Sequence, residues 1–415
     1  MEMQLLNKVI AGFLLLGLAD LSHAATPRRL GEDNPADTFF VSRRLIPEWN
    51  AEVRPGCILP TNIFLRGENA RNLPLRSSFS VHLTYGFRFR PSTDRDRIYG
   101  RPVQGIGAAW YTFGNREEIG RPAAFYLFQG ARLARLAPRL SLHYEWNFGL
   151  SFGWHPHDFY TNPYNRVIGS RINAYLHAGL YLNWALSPRL ELRPGIGLTH
   201  FSNGNTKYPN AGLNTAGLKI GVAYRFGRES LPASSPSVVS PPPVFPRHIS
   251  YDAVVFGSWR RKGVFLGESQ IASPKAYAVA GFNFSALYNF GYKFRAGLSL
   301  DGVYDGSANV YTEDYIVGTE PSFYTPPARR QLALGLSGRA EFVMPYFTIG
   351  LGAGRNFLHD GGDLRGWYQV LALKIELLRN SFLHIGYTLK DFHNPNFLMV
   401  GIGFRFHNLY PALHR

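Results

Sequence analysis

Cysteine is almost missing from this chain: Cys57 is the only one in 415 residues. A single thiol excludes an internal disulfide, so stability cannot come from the paired cysteines of small exported domains. Long apolar runs are missing too. The apolar stretch 9–18 falls short of the roughly 20 residues a helix needs to span a bilayer, and no later stretch does better. Lys8 before it and Ser22-His23-Ala24-Ala25 after it predict a signal peptide, residues 1–25, cleaved after Ala24 or Ala25. Cys57 lies well beyond that site, which excludes a lipoprotein anchor. Charge is sparse at 17% of residues and short of acid: 44 basic against 28 acidic side chains leave a net +16. The bases are dispersed and the chain is exported, which argues against nucleic acid and for anionic lipid phosphates as the partner.

Aromatic residues and glycine are plentiful, at 15% and 43 residues. With a mean hydropathy near zero, that mixture suits a membrane β-barrel. Residues 49–226 read as roughly eight strands of about 10–15 residues, longer than the roughly 5–6 of globular sheets. Phe79, Val81, Leu83, Tyr85, Phe87 and Phe89 alternate with Ser78, Ser80, His82, Thr84, Gly86 and Arg88. The fifth strand sets Leu142, Tyr144, Trp146, Phe148, Leu150, Phe152 and Trp154 against Ser141, His143, Glu145, Asn147, Gly149, Ser151 and Gly153. The third, over 101–114, is ambiguous. Segment 228–249 contains Leu231-Pro232-Ala233-Ser234-Ser235-Pro236 and Pro241-Pro242-Pro243, which cannot enter a ladder and read as a linker. Residues 250–415 repeat the pattern, and Gly401-Ile402-Gly403-Phe404-Arg405-Phe406 echoes Gly221-Val222-Ala223-Tyr224-Arg225-Phe226. The expectation is an all-β transmembrane protein of two tandem eight-stranded antiparallel barrels, 26–227 and 250–415. A single sixteen-stranded barrel is the alternative.

The seventh strand carries the chemistry. Counting back by two from Ser202 gives His200, Leu198, Ile196, Pro194, Leu192 and Leu190, one face of a strand. A hydroxyl and an imidazole thus share an otherwise apolar face, which in a barrel looks toward lipid. If the chain enters from the periplasm, the seventh strand runs outward and ends near the outer interface. The eighth returns with Asn214, Ala216, Leu218 and Ile220 on the same outward face, so parity places Asn214 beside His200.

The segment from His200 to Asn214 resembles the outer-membrane lipid A 3-O-deacylase family, often labelled acyloxyacyl hydrolase. The family's pattern is His-x-Ser-Asn, then Pro-Asn-x-Gly, then a Glu twelve residues after the Ser. The resemblance covers 49–226 and implies an eight-stranded barrel with its active site on the outer wall. It implies His200 as general base, Ser202 as nucleophile, and Asn203 with the backbone of the Gly204 turn as donors to an oxyanion. At position 214 this chain has Asn where the family has Glu; an Asn can still hold an imidazole in one tautomer. The implied function is removal of an ester-linked acyl chain from lipid A or a related glycolipid of lipopolysaccharide. The protein would be a multi-pass resident of a Gram-negative outer membrane, and the chemistry requires no metal and no cofactor. A non-catalytic barrel for transport or scaffolding is the rival.

Other polar groups read as structure. Trp154-His155-Pro156-His157-Asp158 lies in an outward loop without a further metal ligand at useful spacing. Gly105-Ile106-Gly107 is strand glycine, and Glu145, Glu191, His82 and His143 fall on the inward parity as a polar filling. The second half has no His-x-Ser; Asp391, His393 and Asn394 near its corresponding hairpin read as loop residues.

Overall fold

The computed structural model describes residues 45–91, 93–226, 242–266, 269–313, 321–392 and 394–411. The signal peptide, most of the linker and His393 lie outside the described residues. The chain forms two closed barrels of eight antiparallel strands each, not one of sixteen.

The first barrel runs β1 (Leu45–Ile58), β2 (Ser77–Phe89), β3 (Val103–Thr112), β4 (Gly120–Ala137), β5 (Leu140–Trp154), β6 (Asn173–Ala185), β7 (Leu190–Ser202) and β8 (Leu213–Arg225). β8 pairs back onto β1, from Glu48 opposite Arg225 to Ile58 opposite Thr215, so no edge is left. Alternation along each strand decides what faces where. On β2, Phe79, Val81, Leu83 and Tyr85 are exposed while Ser78, Ser80, His82 and Thr84 are buried. The inside is ionic. Glu191 accepts from Arg88, Arg193 and Arg225, each at 2.7 Å, and Glu48 bridges Arg88 and Arg193 at 2.7 and 2.8 Å. A second layer joins Arg54, Glu145, Lys219 and Glu52. Eight strands leave a bore that side chains fill, and these charges can be buried because each meets a partner.

Short helices close the connections: α1 (Ile63–Arg66), α2 (Asp94–Tyr99) and α3 (Arg116–Ile119). Sequence reading did not foresee them, since four to six residues are too few to show a helical period. Each is started by a side-chain cap, from Asn62, Thr93 and Asn115 respectively. The longer connections 59–76, 155–172 and 203–212 gather at one end of the barrel, whereas 138–139 and 186–189 at the other are tight.

The second barrel begins with β9 (His248–Arg260), followed by a small hairpin of β10 (Gly263–Leu266) and β11 (Ser269–Ala272). β12 (Tyr277–Asn289) and β13 (Phe294–Asp305) return to the wall, and β14 (Tyr311–Thr312) pairs with β15 (Phe323–Tyr324) above it. β16 (Leu332–Val343), β17 (Phe347–His359), β18 (Trp367–Leu378), β19 (Ser381–Lys390) and β20 (Asn394–Phe406) complete it, and β20 closes on β9. Its interior repeats the ionic design: Asp252 with Arg295, Lys374 and Arg405, and Glu341 with Arg295 and Lys374.

The two barrels touch. Trp146 of β5 packs edge-on against Phe347 of β17, ring centroids 5.0 Å apart, in a cluster with Met344, Leu373 and Ile375. Such an aromatic pair adds roughly 0.5–1.5 kcal/mol beyond the area it buries. At the α2 end, Arg95 donates to the Tyr346 hydroxyl at 3.0 Å.

Candidate active site

β7 and β8 form a hairpin in which His200 stands directly opposite Asn214, and Thr199 opposite Thr215. Cross-strand partners on one face lie about 4.5–5.5 Å apart at Cβ, close enough for side chains to bond. Asn214 Oδ1 is 2.7 Å from His200 Nδ1, and Ser202 Oγ is 2.9 Å from His200 Nε2. With the amide oxygen on Nδ1, the proton sits on Nδ1 and the lone pair of Nε2 accepts from the Ser202 hydroxyl. The structure therefore brings Ser202, His200 and Asn214 into one line of contacts. All three are half-buried on the outer wall, beyond the exposed Ile196 and Leu198 of the same strand.

Two other serine–histidine pairs show why placement matters more than distance. Ser80 lies 2.9 Å from His82 Nε2, and Ser141 lies 2.9 Å from His143 Nε2. His82 and His143 are buried in the bore, where no substrate reaches. Glu191 is buried there as well, and Glu145 joins Arg54 and Lys219. These are the wall's filling, as their parity predicts.

The floor under the site is aromatic. Phe201, between His200 and Ser202, points inward and is fully buried. Its ring meets Tyr111 and Trp154 at 5.0 Å and Tyr175 at 5.5 Å. This anchor fixes the strand that presents both neighbours outward.

In the turn 203–212, Asn203 is bonded within the turn itself. Its side-chain amide donates to Lys207 O at 2.9 Å, and its N–H donates to Asn210 Oδ1 at 2.9 Å. These bonds brace the turn and use one of the two N–H groups of the Asn203 amide. Gly204, at φ 64°, forms the bend beside it.

Sequence reading missed two residues here. Asn210 ties Asn203 to Asn205, donating to Asn205 Oδ1 at 3.1 Å. Gly212, at φ 74°, passes so near the imidazole that a Cβ there would sit 2.9 Å from His200 Cε1. The only available signal was the Pro209-Asn210-Ala211-Gly212 spacing. Connection 155–172 supports the turn from below: Gly212 N–H donates to Val167 O at 3.1 Å, and Asn165 caps the N–H groups of Val167 and Ile168.

The His155–Asp158 stretch goes to structure. His155 binds the Glu117 carbonyl, and Asp158 accepts from Tyr160, Thr161 N–H and the Thr161 hydroxyl. Those bonds, the Thr161 N–H foremost, hold the Asp158 carboxyl below its usual range. Burial, with Arg166 nearby, holds the His157 imidazole down as well. Among the described residues no group of three or more His, Cys, Asp or Glu is placed to hold a metal. In the second barrel, Asp391 accepts from Trp367 N–H at 3.0 Å, across the loop mouth.

Residues 79–223 match the family model for lipid A 3-O-deacylase (PagL), and residues 249–408 match that for the acyloxyacyl hydrolase C-terminal domain. No curated protein matches the chain. Among solved structures, the outer membrane enzyme PagL aligns at 17% identity over 42% of this chain and 97% of its own, with a TM-score of 0.28. The FrpB iron transporter from Neisseria meningitidis aligns at 10% identity over 88% of this chain and 71% of its own, with a TM-score of 0.24. The TodX monoaromatic hydrocarbon channel aligns at 8% over 90% and 91%, with a TM-score of 0.18. None of these three overlaps bears on the chemistry.

Proposed function

We propose that this chain, whose residues 79–223 match the lipid A 3-O-deacylase model and whose residues 249–408 match that of the acyloxyacyl hydrolase C-terminal domain, is an outer-membrane ester hydrolase that removes an ester-linked acyl chain from lipid A, or a related acylated glycolipid, at the lipid-facing wall of its first barrel. The observation that carries the reading is the alignment of Ser202, His200 and Asn214 at 2.9 and 2.7 Å on an outward face that is otherwise apolar. A polar trio in that position needs a functional reason, and an ester whose acyl tail lies in the membrane supplies one.

The steps follow from the atoms present. Ser202 Oγ attacks the ester carbonyl while His200 Nε2 takes its proton. Asn214 keeps the Nδ1 proton in place, so that Nε2 is the basic nitrogen throughout. The tetrahedral oxyanion is met by the Gly204 backbone N–H at the bend, with Asn203 holding that bend in shape. Collapse expels the sugar hydroxyl, which receives the proton from His200, and a water repeats the sequence to release the fatty acid. The apolar stripe of Ile196, Leu198 and Leu218 below the site seats the acyl tail. A purely conducting barrel is disfavoured because both bores are filled by ion-paired side chains.

Mass spectrometry of lipid A from cells carrying the wild-type chain or Ser202→Ala tests this. The wild type should yield lipid A lighter by one acyl chain, and Ser202→Ala should not. Equal deacylation by the two would discard Ser202 as nucleophile.

A further inference from the structure

The catalytic turn is held from outside its own barrel. Asn205 sits three residues past the nucleophile at φ 62°, a backbone region that few residues other than glycine adopt. Asn adopts this region more readily than most residues, and the bonds that fix it here come from the second barrel. Asn205 Nδ2 donates to the Asn396 carbonyl of β20 at 2.9 Å, and its own carbonyl accepts from the Arg261 N–H just after β9 at 3.0 Å. Arg260 secures the receiving side, bonding the Asn396 side chain at 2.8 Å while paired to Asp305 at 2.9 Å. Next to Asn205, a Cβ on Gly204 would lie 3.4 Å from the Leu398 side chain and 3.7 Å from Tyr387, so the bend is seated against β19 and β20. On the other side, Asn205 Oδ1 accepts from Asn210, whose own oxygen holds the Asn203 N–H next to Ser202. A continuous chain of hydrogen bonds thus runs from Asp305, inside the second barrel, to the residue after the nucleophile.

We propose that the second barrel sets the geometry of the active-site turn through Asn205, a positioning residue, so that full esterase activity of the first barrel requires the second to be seated. This rests on Ser202 being the nucleophile. Deacylation needs the oxyanion donor at Gly204 held within a fraction of an ångström, and the irregular turn around it is bonded from the second barrel as well as from within. The one His-x-Ser of the second barrel among the described residues, His248-Ile249-Ser250, has both side chains buried; the barrel's contribution to the chemistry is the carbonyl of Asn396 and the N–H of Arg261.

Two variants separate the cross-barrel bond from the bonds inside the turn. Asn205→Asp keeps an oxygen for Asn210, and Asp tolerates positive φ. It loses the donor to Asn396 and sets a carboxylate against that carbonyl. Asn205→Gly keeps the φ and loses both side-chain bonds. Full-length variants are assayed in detergent micelles on an acylated glycolipid, and Ser202 reactivity is followed separately with a fluorophosphonate. Labelling is scored only on the folded, heat-modifiable band, so a partly unfolded preparation still decides the question. Both variants should lower kcat by about ten- to a hundredfold, the scale of a small displacement of catalytic groups, with KM little changed. Fluorophosphonate labelling should slow in parallel. Native kcat and native labelling in Asn205→Asp would overturn the proposal. Ser202→Ala is the control that tells the two ideas apart. If it is inert and unlabelled while Asn205→Asp is native, only the coupling is wrong; if it still hydrolyses, the reading of Ser202 fails first.

Discussion

Asn214→Ala removes a single contact from the site and leaves the strand register untouched. Asn214 is half-buried and its backbone is held by the β7–β8 ladder, so truncation should not loosen the barrel. What disappears is the 2.7 Å bond to His200 Nδ1. In the ground state that bond is between neutral groups; as His200 takes the Ser202 proton it becomes a bond to a cation. Hydrogen bonds to charged groups contribute about 1.5–3 kcal/mol, and about 1.4 kcal/mol is tenfold in rate. The expected loss is therefore about tenfold to a hundredfold in kcat, with KM nearly constant because the bond strengthens only as charge develops. Asn214→Glu supplies the side chain seen in the family's pattern and adds a negative charge opposite the imidazolium. It should match or exceed the native rate near neutral pH. That gain should fade as the pH falls toward the carboxylate range of about 4, where the added group protonates. Steady-state kinetics on acylated glycolipid in micelles, across pH, would measure all three proteins. Native kinetics for Asn214→Ala would refute the assignment of Asn214 as the group that orients His200.

Two further expectations concern the surroundings of the site. Gly212→Ala would place a methyl 2.9 Å from His200 Cε1 on a φ of 74°, so the ring must shift off Ser202; kcat should fall by roughly an order of magnitude, and unchanged kinetics would show that the turn yields freely. Glu191→Gln removes the carboxylate that Arg88, Arg193 and Arg225 share in the bore and leaves Glu48 to serve Arg88 and Arg193. It should cost about 3–5 kcal/mol of stability, read as a lower temperature for loss of the heat-modifiable form, with kcat preserved below that temperature.

The barrel walls were legible because a strand writes its two faces into alternate residues, and lipid outside a filled bore makes the contrast strong. The same parity put Asn214 opposite His200, since a hairpin fixes both register and side. Two closed barrels were foreseen as one of two options; the echo of 221–226 in 401–406 marks where each half ends, at the strand that seals it. Parity is silent where the chain leaves the ladder. The inward turn of Asn203, the bond from Asn210 and the approach of Gly212 to the imidazole all lie in 203–212, whose path depends on connection 155–172 beneath it. The cross-barrel bonds of Asn205 involve residues 261 and 396, too distant in sequence for any local pattern to announce them.

Each half is closed by pairing its first strand with its last: Trp49 with Tyr224, and Val255 with Ile402. Contacts of such wide sequence separation are the slow ones in folding, because a long loop must be ordered before they form. The β7–β8 hairpin that aligns Ser202, His200 and Asn214 is the opposite case, a neighbouring pair joined by ten residues or so and able to form on the timescale of microseconds. Its elements meet early, yet they become rigid only when β8 finds β1 and the aromatic floor beneath Phe201 is complete. The contacts of Ser202, His200 and Asn214 are thus among the first this chain can make and among the last to be locked in place.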